Sequence, residues 1–400
     1  MAFLANRTIN LVNFHYAIHA VAMGGGAAFV SAFLLKNGIQ PPLVLGAVAI
    51  ILALRFILRP IAIGFAVRYG VRRLLIAGSI LSALQYPVLA EVHEVGAVMF
   101  GFCLVAALGD TIYWSSYHAY FASVGDDDHR GKHIGTREAV AALIGIVAPF
   151  AAGWMLEQAG PRIAFGVTGV VVALSAIPLA WTPNVQVAAK APPGTFKAAM
   201  PGALIALGDG FASAGYHFVW GIVLFTALGA DLMAFGGALA LAALAGAAAG
   251  VILGSAIDSG HGRRALRIGV GALALVAALR AMSSGDATLA VAANALGALA
   301  GCLYTPSVMT AVYTLGRHAP CTFRFYVAAE GGWDIGGMLG LGLAAAASAL
   351  GAPLWSGVLL ALPGMAFVYV RVRRFYIDNP RVAPPPPLPL AIDPREGVSL

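Results

Sequence analysis

Charged side chains are scarce in this chain. Asp, Glu, Lys and Arg make up 10% of the 400 residues, whereas hydrophobic residues make up 60%. A soluble globular domain carries about a quarter charged residues, so the composition excludes an ordinary soluble protein and a disordered one. The mean hydropathy of +0.86 is typical of a chain that lies largely within a lipid bilayer.

Cysteines are few, and a nucleotide-binding signature is absent from the sequence. The three cysteines are an odd number, and Cys103 and Cys302 lie inside apolar runs, so extracellular disulfides are not indicated. The glycine-rich, lysine-ending loop that binds nucleotide phosphates does not occur, which argues against an ATP-hydrolysing pump. We expect no cofactor, no metal and no enzymatic activity. The net charge of +7 falls in short clusters between apolar runs, so a nucleic-acid partner is not indicated either.

Apolar runs broken by charges, prolines and glycines predict about twelve transmembrane helices, since a span needs roughly 20 residues. The predicted spans are 12–35, 42–67, 73–91, 95–121, 138–158, 163–182, 202–228, 232–256, 266–284, 288–315, 325–350 and 353–375. We therefore expect an all-α, polytopic membrane protein. Its predicted parts are an N-terminal six-helix bundle at 1–182, a cytoplasmic linker at 183–201, a C-terminal six-helix bundle at 202–377 and a proline-rich, disordered cytoplasmic tail at 378–400.

The basic residues predict the orientation of these spans. Most of the 24 Lys and Arg residues fall in segments that share one side of the membrane. Lys36, Arg162 and Arg280 are assigned to the opposite side. Because cationic loops resist translocation, the basic side is predicted to be the cytoplasm. We therefore expect a protein of a bacterial inner membrane with both termini in the cytoplasm.

Two loops about 190 residues apart resemble each other. GFAVRYGVRR (Gly64 to Arg73) follows the second span, and GSAIDSGHGRR (Gly254 to Arg264) follows the eighth. In both loops a glycine ends one helix and a basic pair opens the next. Internal duplication of this kind is usual in secondary transporters.

These loops resemble the cytoplasmic loop motif of the major facilitator superfamily, in which a Gly, an Asp and a second Gly precede a basic pair. The first copy departs from the pattern with Val67 at the position of the Asp. The resemblance implies two pseudo-symmetric six-helix bundles that open alternately to each side around a central cavity. It also implies a cytoplasmic gate made of Gly64, Arg68, Gly70, Arg72, Arg73, Gly254, Asp258, Gly262, Arg263 and Arg264.

Ionisable residues inside predicted spans point to the mechanism, because a charge in hydrocarbon costs at least a few kcal/mol. The candidate proton carriers are Asp110, Asp209, Glu330 and Asp334. Arg55 and Asp110 both lie roughly 20 Å from the outer surface at 1.5 Å per residue, which predicts an ion pair. That pair could lock two helices, or it could bind solute or move protons. Glu330 could instead pair with Arg324 near the cytoplasmic surface.

Aromatic residues and histidines share helix faces with two of these acids. Asp110 is followed by Trp114, Tyr117 and His118 at helical spacing, and Asp209 by Tyr216, His217 and Trp220. We interpret both faces as the lining of a cavity, with aromatic packing as the alternative, because a polar face must contact protein or water rather than lipid. The candidate substrate contacts are His15, His19, Arg55, Tyr113, Trp114, Tyr117, His118, Tyr216, His217, Trp220, Tyr304 and Trp333.

These features predict a proton-coupled secondary transporter of a small organic solute, with the lipid bilayer as its surroundings. GIVAPFAAG (Gly145 to Gly153) is similar to a Gly-Pro signature of the superfamily's antiporters, which favours export, although Ala148 replaces the glycine before Pro149. Uptake by proton symport uses the same residues. Transport of a transition metal by the i, i+4 pair His15 and His19 is a further alternative, as are a membrane-embedded metalloenzyme and a non-transporting sensor.

Overall fold

The computed structural model describes residues 6–124, 130–257 and 262–379, without the side chains of 130–142 and 249–257. Within these ranges the chain is largely helical and has no β-strand, which confirms the all-α prediction. The described residues form twelve helical segments, which are α1 Arg7–Lys36, α2 Pro41–Tyr69, α3 Val71–Ala90, α4 Ala97–Val124, α5 Arg130–Gln158, α6 Pro161–Trp181, α7 Thr195–Ala227, α8 Leu232–Ile257, α9 Gly262–Met282, α10 Ala287–Arg317, α11 Thr322–Ala349 and α12 Leu354–Asp378.

Four of these segments contain irregular turns or breaks, of which only the one at Gly24 to Gly26 in α1 was indicated by the sequence. In α1 a 3-10 turn at Ala27–Phe29 follows three successive glycines, and α6 ends in a 3-10 turn at Ile177–Trp181. In α7 a π-helical turn occupies Ala214–Val219. Helix α12 consists of Leu354–Val358 followed by Ala361–Asp378. Such irregular turns are common where a helix borders a functional site.

The start of α7 differs from the prediction. The helix begins at Thr195, before the predicted residue 202, so the second part of the predicted linker is helical. Gly194, with φ of +78°, precedes the first turn. Pro201 was the last residue of the predicted linker, but the helix contains it.

The surface of the bundle fits a bilayer. Among the described residues, nine helices are long and apolar enough to cross a membrane: α1 to α4, α6, α7, α9, α10 and α12. Helices α5 and α8 have shorter described apolar segments, Leu143–Gln158 and Leu232–Ala248, so the count of twelve spans stays a prediction. Large apolar side chains such as Ile57, Leu143 and Leu275 point outward. The chain is a multi-pass membrane protein.

The helices pack in the same pattern in both halves. In the first half α1 packs on α5 and α6, α3 packs on α4 and α6, and α2 packs on α4. In the second half α7 packs on α11 and α12, α9 packs on α10 and α12, and α8 packs on α10. Each pair in the second half lies six helices after its counterpart. The prediction of two pseudo-symmetric six-helix bundles is confirmed.

Two thiols occupy equivalent places in this symmetry. Cys103 Sγ of α4 donates to the carbonyl of Ala47 in α2 at 3.8 Å. Cys302 Sγ of α10 donates to the carbonyl of Gly246 in α8 at 3.1 Å, and both contacts span 56 residues. The halves contact each other mainly through α2 with α11 and through α5 with α8, which are also related by the symmetry.

Candidate substrate cavity and charge network

Five ionisable side chains from both halves form a charge network. We define it as Arg55 and Arg59 of α2, Asp110 of α4, and Glu330 and Asp334 of α11. Arg55 Nε lies 3.0 Å from Asp334 Oδ1, and Arg59 Nε lies 2.5 Å from Asp334 Oδ2. Asp334 is completely buried, so the two arginines compensate a charge that has no access to solvent.

The remaining contacts of the network are longer. Arg55 Nη1 lies 3.7 Å from Asp110 Oδ2, which places the predicted pair in the same cluster. Glu330 Oε2 lies 3.4 Å from Arg55 Nη2 and 3.5 Å from Arg59 Nη2. Arg324 contacts the Ala189 carbonyl at 3.0 Å instead, so the alternative that Glu330 pairs with Arg324 is wrong.

The network contains three acids and two arginines. His118 lies at its edge, with Nε2 at 3.6 Å from Glu330 Oε1 and Nδ1 within hydrogen-bonding distance, 3.2 Å, of the Tyr313 hydroxyl. A proton on His118 or on one of the acids would make the cluster neutral.

A cavity of about 730 Å³ lies between the two halves. Its wall includes α1, α2 and α4 from the first half and α7 to α11 from the second. The predicted site residues on its wall are Arg55, Asp110, Asp209, Tyr216, His217, Trp220, Tyr304 and Trp333. Their faces turn inward because the rest of each helix is apolar and packs against its neighbours or faces lipid.

The second half contributes a separate polar group around Asp209. The Tyr304 hydroxyl of α10 donates to Asp209 Oδ1 of α7 at 2.8 Å. Among the described residues, no Arg, Lys or His lies within 4.0 Å of the Asp209 carboxylate. Asp209 is therefore an acid on the cavity wall that is held by a neutral donor.

Arg280 is the main cavity residue that was not among the candidate residues. It was counted with the basic residues of the external side, near the end of the predicted span 266–284; it belongs to the last turn of α9, is 3% exposed and lines the cavity. Its Nη1 donates to the carbonyl of Tyr216 at 2.7 Å. The guanidinium lies over the rings of Tyr216 and Trp220, at 4.1 and 4.6 Å from their centroids. Its position shortly before the polar SSGD segment favoured a place at the membrane surface.

Hydrogen bonds hold the aromatic side chains of this wall in place. The Tyr216 hydroxyl donates to the carbonyl of Gly297 at 2.8 Å. The Trp220 indole donates to Asn294 Oδ1 at 2.9 Å, and Asn294 Nδ2 donates to the carbonyl of Ala238 at 3.1 Å. Asn294, like Arg59 of the network, was not among the candidate residues, although a single Asn inside an apolar run is a usable signal.

Several candidate residues lie away from the cavity wall. They are His15, His19, Tyr113, Trp114, Tyr117, His118, Glu330 and Asp334. Tyr113 and Tyr117 are fully buried and pack against the two histidines, with 4.0 Å between the ring centroids of His19 and Tyr113. On α4 the alternative of aromatic packing therefore describes the face beyond Asp110 better than cavity lining does.

The geometry of His15 disfavours a metal site. Its Nδ1 lies 2.7 Å from the carbonyl of Ser175, and its Nε2 lies 3.2 Å from the Tyr113 hydroxyl. Both ring nitrogens are therefore engaged by protein groups. Within the described ranges, no group of three or more His, Cys, Asp and Glu residues is arranged to hold a metal ion.

The first copy of the loop motif forms a compact joint between α2 and α3. Gly70 has φ of +82°, which favours glycine, and Asn184 lies against it. Asn184 Nδ2 donates to the carbonyl of Tyr69, and the backbone N–H of Arg72 donates to Asn184 Oδ1. Arg72 Nη1 also donates to the carbonyl of Thr182 at 2.6 Å, so the joint is fastened to the end of α6.

Other motif residues have simpler surroundings. A Cβ at Gly64 would meet no atom within 4 Å. Four motif arginines are exposed: Arg68, Arg73, Arg263 and Arg264. Gly262 begins α9, and a side chain there would meet Tyr376. Gly254 lies within α8, and Asp258 lies outside the described residues.

Comparisons with known proteins agree with this architecture. The E. coli fucose:proton symporter FucP, in a crystal structure of a point variant, is 14% identical, with a TM-score of 0.64, and the match covers 92% of this chain and 98% of that one. The human organic anion transporter MFSD10 (TETRAN) is 12% identical, with a TM-score of 0.64 and the same coverage. No curated protein matches the sequence. At these identities the structural likeness shows the fold alone.

The sequence comparison shows the family. The profile described as Major Facilitator Superfamily matches residues 14–322, which is more than half of the chain. With two six-helix halves around a central cavity, the chain belongs to the major facilitator superfamily of membrane transporters.

Proposed function

We propose that the protein is a proton-coupled secondary transporter that carries a small organic solute through the cavity by alternating access. The observation that carries this proposal is the placement of Asp110 and Asp209 on the wall of a 730 Å³ cavity between the halves. A cavity of this size suits a small organic molecule. The superfamily membership supports a transporter rather than an enzyme.

The charge distribution supports coupling to protons. Asp209 has a neutral donor for its carboxylate, and the charge network has one acid more than it has arginines. Burial disfavours the charged form of a carboxylate, so such groups exchange protons when their exposure to water changes. Asp110 and Asp209 are the proposed proton carriers, with Glu330 and His118 at the edge of the network as a relay. The doubly bound Asp334 fastens α11 to α2.

The direction that we propose is export, on the basis of the span-five pattern around Pro149. The Pro149 carbonyl lies close to Gly236 of α8, so this part of α5 forms a contact between the halves. Proton-driven uptake is the alternative and uses the same residues. The metal-transport alternative loses support because both nitrogens of His15 are engaged.

The proposed setting follows from the basic residues. We place the protein in a bacterial inner membrane, with both termini, the 183–201 linker and the loop-motif gate on the cytoplasmic side. The proposed units are 1–182 and 202–377, and the proline-rich 378–400 segment is a proposed cytoplasmic tail. The C-terminal residues 380–400 lie outside the described residues.

Proteoliposomes with an imposed pH gradient test the function. The purified protein is offered a panel of neutral, cationic and anionic organic solutes, and the lumen content is measured by mass spectrometry. A proton antiporter accumulates its solute in acid-lumen vesicles, whereas a symporter accumulates it in alkaline-lumen vesicles, whichever way the protein is inserted. Solute entry that is the same in both, with no associated proton flux, would contradict coupling.

A further inference from the structure

We infer that Arg280 binds the anionic group of the transported solute, which is an amphiphilic monocarboxylate with an apolar or aromatic body. The inference rests on the proposed function and adds the solute class and the residue that recognises it. Arg280 was not a candidate from the sequence, where Arg55 was the arginine assigned as a substrate contact. The contacts of the two arginines reverse that assignment.

Arg280 is a buried cation without an acidic partner. Among the described residues, no carboxylate lies within 4.0 Å of its guanidinium. Nη1 donates to one backbone carbonyl, and the buried Nε has no hydrogen-bond partner. A guanidinium has five N–H donors and readily forms paired bonds to a carboxylate. The cavity wall thus holds an unused anion-binding group.

Arg55, the other arginine on the cavity wall, is already paired with carboxylates and is not available to bind an anion. It contacts Asp334, Asp110 and Glu330 at 3.0, 3.7 and 3.4 Å. An anion approaching Arg55 would also meet three carboxylates. The positive charge available to a solute therefore lies at Arg280.

The guanidinium of Arg280 is held in place by its surroundings. The rings of Tyr216 and Trp220 lie against it, and such cation–π contacts stabilise a buried positive charge without neutralising it. Gly297 of α10 leaves room for it, because a Cβ at that position would overlap the guanidinium. The carbonyl that Arg280 binds belongs to the π-helical turn of α7, so this irregular turn is part of the same site.

The rest of the wall specifies the body of the solute. Around the polar groups, the cavity is lined by side chains such as Phe218, Leu224, Phe235, Leu239 and Leu273. These surfaces favour an alkyl or aryl body, because burying apolar surface is favourable and these five side chains offer no partner to a charge. A carboxylate at Arg280 with an apolar body against these residues satisfies both parts of the cavity.

Calorimetric binding to the purified full-length protein tests the inference without requiring transport. The probes are benzoate, phenylacetate and octanoate, each compared with its uncharged amide. We expect at least one carboxylate to bind at least about tenfold more tightly than its amide, and Arg280→Gln to remove that preference. Arg280→Lys should retain part of it, because lysine keeps the charge but not the fork of donors.

Two further variants control for indirect effects. Arg162→Gln removes an exposed arginine that is paired with Glu91 at 2.7 and 2.8 Å, and it should bind like the wild type. Gly297→Ala keeps the charge but displaces the guanidinium, so it should weaken carboxylate binding more than amide binding. Thermal unfolding of each variant shows whether it remains folded.

Three results would overturn the inference: equal binding of acids and amides, unchanged carboxylate preference in a folded Arg280→Gln protein, or no binding of any carboxylate up to about 10 mM. Its failure is separable from failure of the proposed function. Proton-coupled transport of a neutral or cationic solute would support the proposed function and contradict the carboxylate site. Carboxylate binding at Arg280 without proton flux would support the carboxylate site and contradict the proposed proton coupling.

Discussion

Asp334 lies between two arginines, Arg55 and Arg59, with each of its carboxylate oxygens facing a different Nε atom. The arginines are one turn apart on α2, and the acid is on α11, so the contact joins the two halves of the molecule. Arg59 Nη1 also donates to the Ser115 hydroxyl of α4 at 2.8 Å. Three helices are thus connected through one buried carboxylate.

Replacing this acid by its neutral isostere should be costly. Asp334→Asn leaves two buried arginines with less compensation, and removal of one member of a buried ion pair typically costs about 3–5 kcal/mol. We expect a loss of that order in the free energy of unfolding in mixed micelles, together with loss of transport. Asp334→Glu should keep the charge and lose less.

The double variant Arg59→Gln, Asp334→Asn separates charge compensation from packing. If the buried charge is the cause, removal of both partners restores a large part of the stability lost in Asp334→Asn. A double variant whose loss equals the sum of the two single losses would contradict the ion-pair account.

The proposed coupling role of Asp209 predicts that its loss affects proton-coupled transport but not solute exchange. Asp209→Asn keeps the shape of the side chain and its contact with Tyr304 but binds no exchangeable proton. We expect solute-dependent proton flux to fall at least about tenfold, while exchange of labelled for unlabelled solute continues, because exchange requires no net proton movement. Glu91→Gln, which changes an exposed acid far from the cavity, is the matched control. Undiminished proton flux in Asp209→Asn would remove Asp209 from the coupling mechanism.

The close packing of α7 on α11 depends on glycine. A Cβ at Gly336 would overlap the carbonyl of Leu207 in α7, whereas a Cβ at Gly342 on the same helix would meet no atom within 4 Å. We expect Gly336→Ala to lower the free energy of unfolding by roughly 1–3 kcal/mol, as overpacking does, and Gly342→Ala to have little effect. Equal stability of both variants would mean that α7 and α11 separate easily at this point.

Lys36 of α1 connects the halves at the end of the bundle away from the loop motif. Its Nζ contacts Glu157 at 2.7 Å and the carbonyl of Ala230, in the second half, at 3.4 Å. Because the pair is exposed, Lys36→Gln should change stability by less than about 1 kcal/mol. Lys36→Gln should, however, increase the labelling of a cysteine introduced on the cavity wall by a thiol reagent applied from the Lys36 end of the bundle. Arg162→Gln, which removes an exposed ion pair within one half, should not. Unchanged labelling in Lys36→Gln would show that this contact does not restrict opening.

The helical architecture could be predicted because it depends on a strong and simple signal. Long apolar runs and the spacing of basic clusters determine spans whatever their tertiary partners are. The depth of Arg55 and Asp110 along their helices was enough to predict that they meet. The π-helical turn of α7 has no comparable signal in the sequence, and Gly215 within it lies close to Gly357 of α12, which is distant along the chain.

The site could be predicted only in part, because side-chain direction depends on the rotation of each helix. The faces of α4 and α7 carry similar sequences, yet Tyr216 and Trp220 line the cavity whereas Tyr117 packs inside the first half. Arg280 was counted with the external basic residues because charge near a helix end usually marks the membrane surface. Its packing against Tyr216 and Trp220 of α7 and Gly297 of α10 brings distant parts of the chain together and cannot be seen in any one segment.

Alternating exposure of the cavity is the central claim, and a single cysteine on its wall tests it most directly. Ser213 of α7 lines the cavity and is converted to cysteine after Cys103, Cys302 and Cys321 have been replaced by serine. A membrane-impermeant thiol reagent is then applied to sealed vesicles of each orientation, with and without a transported solute. The account predicts labelling from both sides, in a ratio that the solute changes; labelling from only one side under every condition would contradict it.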